Sequence, residues 1–161
     1  MKVYFASDHA GFALKEKLIP FVMELGYQTE DCGAYSYEEG DDFPGFIGKA
    51  AQAVAHDPSQ AKAIVLGGSG QGEAIVANRF PHVRAVVFNG QYLPPEEGRE
   101  VPNEIVLSRE HNDANVLSLG ARFLSDDEAM EAVKLWLSTP FSQDERHVRR
   151  IRQIEEFPLK G

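Results

Sequence analysis

The chain has 161 residues, 43% apolar and 25% charged, with a formal net charge of −9. That length supports one buried core and not two comfortable domains, and no apolar run approaches the roughly 20 residues needed to cross a bilayer. The acidic balance repels nucleic acid and anionic membranes at long range, so neither is expected as a partner. The single cysteine, Cys32, leaves no internal disulfide and no cysteine-rich metal site. A reducing, cytoplasmic setting is the simplest expectation.

The opening Met1-Lys2-Val3-Tyr4-Phe5-Ala6 has one lysine and a short apolar run that stops at Ser7-Asp8-His9. It is too brief for a signal peptide and reads as a first strand over 3–7. A helix follows over about 11–25, ended by Gly26 in the usual C-cap manner. Pro20 lies inside it, which predicts a kink or an early break. A second strand covers 27–32. Residues 43–56 read as a helix whose small packing residues are Ala50, Ala51, Ala53, Val54 and Ala55. Residues 63–66 form a buried third strand, and the next helix starts near Gly72. The fourth strand is 83–88, residues 104–111 are helical, the fifth strand is 116–119, and 126–137 is helical. A last helix covers about 143–157. No internal repeat is visible, and 94–100, rich in Pro and Glu, reads as an exposed loop.

Strands alternating with helices predict a parallel sheet covered on both faces. The expected fold is therefore a single α/β domain over 1–161. It is a three-layer α/β/α, Rossmann-like arrangement with a five-stranded parallel sheet and a C-terminal helix. Ligands in such sheets bind beyond the carboxyl ends of the strands. That rule singles out Ser7-Asp8-His9, Gly33, residues 67–73, Asn89-Gly90 and Gly120-Ala121-Arg122.

Gly67-Gly68-Ser69-Gly70-Gln71-Gly72-Glu73 follows a strand and opens a helix. Its glycines let backbone N–H groups converge, and the helix N-terminus adds partial positive charge. Such a nest holds a phosphate or a negative oxygen formed during reaction; a tight turn with no ligand is the plain alternative. The loop lacks the Gly-Lys-Ser/Thr ending of a P-loop. Gln71 stands where a nucleophile elbow needs glycine. Glu73 stands where the dinucleotide pattern needs its last glycine, and an acid there would repel a pyrophosphate. Glu73 instead suggests a catalytic carboxylate beside an anion hole.

Asp8-His9 and Arg109-Glu110-His111-Asn112 add two polar clusters with histidines, while Arg146 and Arg150 share one helix face at i and i+4. That spacing lets two guanidinium groups converge on one phosphate; a solvated helix face paired with nearby acids is the alternative. Together these pieces fit aldose–ketose isomerisation. That reaction needs one base, an anion hole for an enediolate, a group that opens the sugar ring and a phosphate anchor. It needs no cofactor and no metal.

The sequence resembles the ribose-5-phosphate isomerase B family, which includes the galactose-6-phosphate isomerase subunits. The resemblance runs along nearly the whole chain. It is carried by Ser7-Asp8-His9-Ala10-Gly11-Phe12, Asp42-Phe43-Pro44, residues 67–73, Ala77-Asn78-Arg79, Ser108-Arg109-Glu110-His111-Asn112, Gly120-Ala121-Arg122, and Arg146-His147 with Arg150. It implies that Glu73 is the general base, in the branch without a catalytic cysteine. In the other branch a cysteine occupies the position of Gly67, and Cys32 is not its substitute. Ser69 and the N–H groups of Gly68, Gly70, Gln71 and Gly72 would stabilise the enediolate. His111 would open the furanose, Asp8 and Asn112 would touch the sugar hydroxyls, and His9, Arg122, Arg146 and Arg150 would bind the phosphate. The resemblance also implies a homodimer, or a dimer of dimers, with sites shared between subunits and the C-terminal arginines reaching the partner's loop. The expected activity is ribose 5-phosphate to ribulose 5-phosphate. A six-carbon sugar phosphate and a non-catalytic sugar-phosphate binder stay open as alternatives. Two departures bear on the sugar. Phe43 stands where the family usually has tyrosine, and residues 90–102 are longer than usual, as a lid or as a tolerated surface insertion.

Overall fold

The computed structural model describes residues 1–157; the last four of the expected domain lie outside the described residues. Eleven elements alternate along them: β1 (Lys2–Ser7), α1 (His9–Glu24), β2 (Gln28–Asp31), α2 (Phe43–His56), β3 (Ala61–Gly67), α3 (Gln71–Ala77), β4 (Ala85–Phe88), α4 (Glu104–Glu110), β5 (Val116–Gly120), α5 (Asp126–Ser138) and α6 (Glu145–Glu155). All strand pairings are parallel, in the order β2-β1-β3-β5-β4. The three-layer α/β fold expected from the sequence is the fold observed.

Alternation of side chains sends β3 into two cores. Ile64 and Leu66 join Val3, Phe5, Leu117 and Leu119 on the face covered by α1 and α5. Ala63 and Val65 join Ala6, Ala50, Ala51 and Val54 on the face covered by α2 and α3. Every residue of β3 is buried, as befits the middle strand of a sheet covered on both sides. Lys62 is the charged exception. Its ammonium lies over the Trp136 ring, 5.0 Å from the centroid. Burial, reinforced by the nearby Arg109 charge, pulls its pKa down to about 8.

Local chemistry sets the ends of the helices. Asp8 caps α1 by accepting from the Gly11 N–H at 3.1 Å, so the helix begins two residues earlier than the sequence suggests. Gly11 has no room for a side chain, since a Cβ there would lie 2.6–2.7 Å from Leu66 Cβ, C and O. That close approach seats the first turn of α1 on the end of β3. Pro20 does not break α1, which runs on to Glu24. The carbonyl that Pro20 leaves without an N–H belongs to Glu16, and both residues are exposed, so the lost bond falls on the outer side of the helix. Ser125 and Glu128 form a reciprocal capping box at the start of α5.

Several boundaries shift from the sequence reading, among them β3, which runs over Ala61–Gly67 in place of 63–66. β2 stops at Asp31, with Cys32 still donating its N–H to the Phe5 carbonyl. β4 starts at Ala85, because the Arg84 N–H goes to the Asn115 side chain and not to a strand. α6 starts at Glu145 under an Asp144 cap, after Gln143 at φ 60°. Beneath α1, Lys15 is fully buried, with its ammonium on Asp31 Oδ2 at 2.5 Å and the Ala34 carbonyl at 2.6 Å.

Candidate active site

From β1 the chain crosses one way to β2, and β3 lies on the other side, so a crevice opens between the carboxyl ends of β1 and β3. A cavity of about 350 Å³ occupies it, within the range of small-molecule sites. Asp8 and His9 enter from the end of β1, Gly68, Ser69, Gly72 and Glu73 from the loop after β3, and Arg122 from the turn after β5. These are seven of the residues the sequence singles out. Gly70 and Gln71 complete the same loop, Gly70 at φ 73° as the N-cap of α3 and Gln71 as its first, exposed residue.

The loop is held from below. Ser118 Oγ donates to the Gly70 carbonyl at 2.6 Å and Asn89 Nδ2 donates to the Ser69 carbonyl at 3.1 Å. The Ala121 and Arg122 N–H groups reach the Gly67 and Gly68 carbonyls. These bonds lay Arg122 over Gly68, where a Cβ would meet the guanidinium at 3.1–3.2 Å. The last position of β3 is tighter still. A Cβ on Gly67 would lie 2.0 Å from Glu73 Oε1, so the absence of a side chain there makes room for the carboxylate. Phe43 packs on Gly72, where a Cβ would sit 2.7 Å from its ring, and closes one wall with carbon.

Glu73 is only 4% exposed. Burial pushes its pKa up, a bond to its own backbone N–H opposes this, and the charge on Asp8 adds to the rise. A buried carboxylate harder to ionise than usual, beside a nest of backbone N–H groups, is suited to taking and returning a proton. Cys32 has no such poise: burial, helped by the charges of Glu30 and Asp31, pushes its thiol up to about 11.

His9 is gripped by Asp41. One oxygen, Asp41 Oδ1, accepts from the His9 backbone N–H at 3.0 Å and meets Nδ1 at 2.8 Å. Asp8, His9 and Asp41 each offer one ligand atom within 4.8 Å of the others. They number one fewer than the four donors of a structural zinc site, and Asp8 Oδ1 and Asp41 Oδ1 already accept N–H bonds.

The remaining sequence-predicted residues lie elsewhere. His111 is the C-cap of α4 and stacks on His147, with centroids 4.2 Å apart. His147 is buried and meets Ser142 Oγ at 3.0 Å. Burial lowers its pKa, and the charges of His111, Arg146 and Arg150 deepen the fall. Arg84 takes the Asn112 carbonyl at 3.0 Å, and Arg146 and Arg150 project exposed from α6. Glu155, bonded to Arg84 at 2.9 Å and His82 at 2.7 Å, ties the end of α6 to this region. His111 and Asn112 precede β5 while Arg122 follows it, so a strand of about 16 Å separates the two groups. Within one chain they occupy opposite ends of the sheet. Residues 90–102 leave from the site end of the sheet, just after Asn89, but none of them lines the cavity, and Gln91 fastens the segment to the Pro102 carbonyl and the Glu104 N–H.

The sequence reading missed Asp41, Ser118, Asn89 as a loop support and the exposed ring of Phe123 at the rim. Asn89 stood among the strand-end residues without a role, and Ser118 left a trace as the single hydroxyl in the apolar run Val116-Leu117-Ser118-Leu119.

A family model described as Ribose/Galactose Isomerase matches residues 3–154. The chain belongs to this family. Ribose-5-phosphate isomerase B of Mycolicibacterium paratuberculosis is 40% identical over 158 residues, spanning 98% of this chain and 91% of the relative. The protein of that name from Escherichia coli is 34% identical, across 95% and 93% of the two chains. Among solved structures, ribose-5-phosphate isomerase B from Mycoplasma genitalium with bound ribulose-5-phosphate superposes with a TM-score of 0.84 at 29% identity, over 96% of this chain and 93% of that one. The Clostridium thermocellum isomerase B gives 0.84 at 36% identity, over 97% and 96%. As a member of the ribose/galactose isomerase family, the chain shares both its sequence and its fold with proteins named for one reaction. No described helix is long and apolar enough to cross a membrane.

Proposed function

We propose that the protein interconverts ribose 5-phosphate and ribulose 5-phosphate through a cis-enediolate. The observation that carries this is buried Glu73, its pKa raised, facing a cleft lined by glycine-loop N–H groups, in a chain whose full-length relatives carry that name. Ionised Glu73 takes the proton from C2 of the open-chain aldose and returns it to C1, while the hydroxyl proton of O2 passes to O1, so that the C1 aldehyde becomes an alcohol and C2 becomes the ketone. The N–H groups of 68–72 and the Ser69 hydroxyl hold the negative charge while the double bond shifts. Asp8 meets the sugar hydroxyls, and His9 and Arg122 meet the phosphate.

The other half of the site comes from a second copy in a homodimer. Its His111 opens the furanose, its Asn112 contacts the sugar, and its Arg146 and Arg150 complete the phosphate anchor. The separation of the two groups by the length of β5 favours this arrangement. Ile75 on α3 and Phe123 at the rim, 67% and 61% exposed beside the cleft, offer apolar surface for the contact. The lone buried cysteine suits a reducing cytoplasm. Glu73→Gln is expected to lower kcat by about 10²–10⁴ while inorganic phosphate still binds. Near-normal turnover in that variant would move the base elsewhere. A six-carbon substrate is favoured by one observation, the carbon wall that Phe43 builds in place of a hydroxyl. Product analysis with five- and six-carbon phosphates side by side separates the two substrates.

A further inference from the structure

We propose that Asp41 is a positioning residue that turns His9 toward the substrate's phosphate. The inference rests on the reading of His9 as a phosphate ligand and extends it to a residue outside the Asp42-Phe43-Pro44 motif. Asp41 sits in the connection between β2 and α2, 32 residues from His9 in sequence. Its carboxylate is 9% exposed, and its second oxygen, Oδ2, is buried with no partner among the described residues. The side chain therefore serves His9 alone. One oxygen fixes both the backbone and the ring of the histidine, and the Tyr37 ring lies nearly perpendicular to it, with centroids 6.2 Å apart.

A carboxylate only accepts hydrogen bonds, so Nδ1 is the nitrogen that carries the hydrogen toward Asp41. That leaves Nε2 as the nitrogen available to a ligand in the cleft. With both nitrogens protonated, the ring bridges Asp41 on one side and a phosphate oxygen on the other, through a charge-assisted bond at each. The negative charge of Asp41 offsets the ring's positive charge in a cleft that also holds Asp8, Glu73 and Arg122. Without Asp41 the ring is free to rotate and to exchange tautomers, and its grip on the phosphate weakens.

The test is steady-state kinetics with ribose 5-phosphate on four variants, with ring ¹⁵N NMR of His9. Asp41→Ala and His9→Ala each raise KM about tenfold, the loss of one charge-assisted bond, with kcat within about threefold. Asp41→Asn, which keeps an acceptor oxygen, recovers part of the loss. The double variant binds no worse than His9→Ala, because Asp41 acts only through the ring. In the parent protein without substrate, NMR finds Nδ1 protonated. A ring protonated only at Nε2 overturns the proposal whatever the variants do. An unchanged KM in Asp41→Ala, beside a raised one in His9→Ala, overturns it and leaves the proposed function standing. Equal losses from Asp41→Ala in both backgrounds assign Asp41 to the fold and overturn it. An unchanged KM in His9→Ala removes the phosphate reading of His9 and this inference together.

Discussion

A carboxylate can act as a base only when ionised, and the surroundings of Glu73 resist that. Burial is the larger cause, and Asp8 adds its charge against the bond to the backbone N–H. The acid limb of kcat/KM is therefore expected to have its midpoint above 4.5, the ordinary glutamate value. Asp8→Asn removes the repelling charge and shifts that limb toward lower pH. A pH–rate profile of parent and variant checks both, and a parent limb at or below 4.5 would show that another group titrates. Glu73 was legible as a candidate because a glycine loop and an acid at its end form a local pattern, and the structure places it buried in the cleft. Asp41 was not legible. Its partner is 32 residues away, and only the path of the chain between β2 and α2 brings them together.

Among the elements, α1 shows how one buried charge fastens a helix to the sheet. Lys15 is fully buried, and Asp31, at the end of β2, holds its ammonium at 2.5 Å, with exposed Glu16 farther off at 3.8 Å. Asp31→Ala leaves that ammonium on the Ala34 carbonyl with only the distant Glu16 to offset its charge, and is expected to cost about 3 kcal/mol, a fall in Tm of roughly 6–12 °C. Adding Lys15→Met removes the stranded charge and restores much of the loss, which thermal unfolding of the single and double variants would read. Equal melting of single and double variants would place the cost elsewhere. The strands and helices themselves were legible from apolar runs, glycines and caps. Of the two outcomes expected at Pro20, a kink or an early break, the break does not occur, because packing of the whole helix on the sheet outweighs one lost hydrogen bond on its exposed side. The shifted edges of β2 and β4 depend on side chains such as Asn115, which pair from distant parts of the chain.

At the scale of the molecule, the candidate site falls into two halves at opposite ends of the sheet. That follows from the order of His111, β5 and Arg122 in the sequence, once β5 is known to lie beside β3. What the sequence alone could not supply was the distance. If two chains complete each site, Glu73→Gln and His111→Ala are inactive alone for different reasons. Mixed and allowed to exchange subunits, they form heterodimers with one intact site each, and activity returns to about a quarter of the parent's. Assays before and after exchange measure this, and no recovery would place both residues' roles within one subunit.

The contact between Gly67 and Glu73 has a consequence for descent. The space for a side chain at position 67 is already filled by the carboxylate at 73. Those atoms are the far end of a flexible side chain, so a larger residue at 67 would push the carboxylate out of its present seat and would not forbid it. Descendants of a chain that gained a side chain at 67 would inherit a displaced acid at 73, and the two positions would vary together.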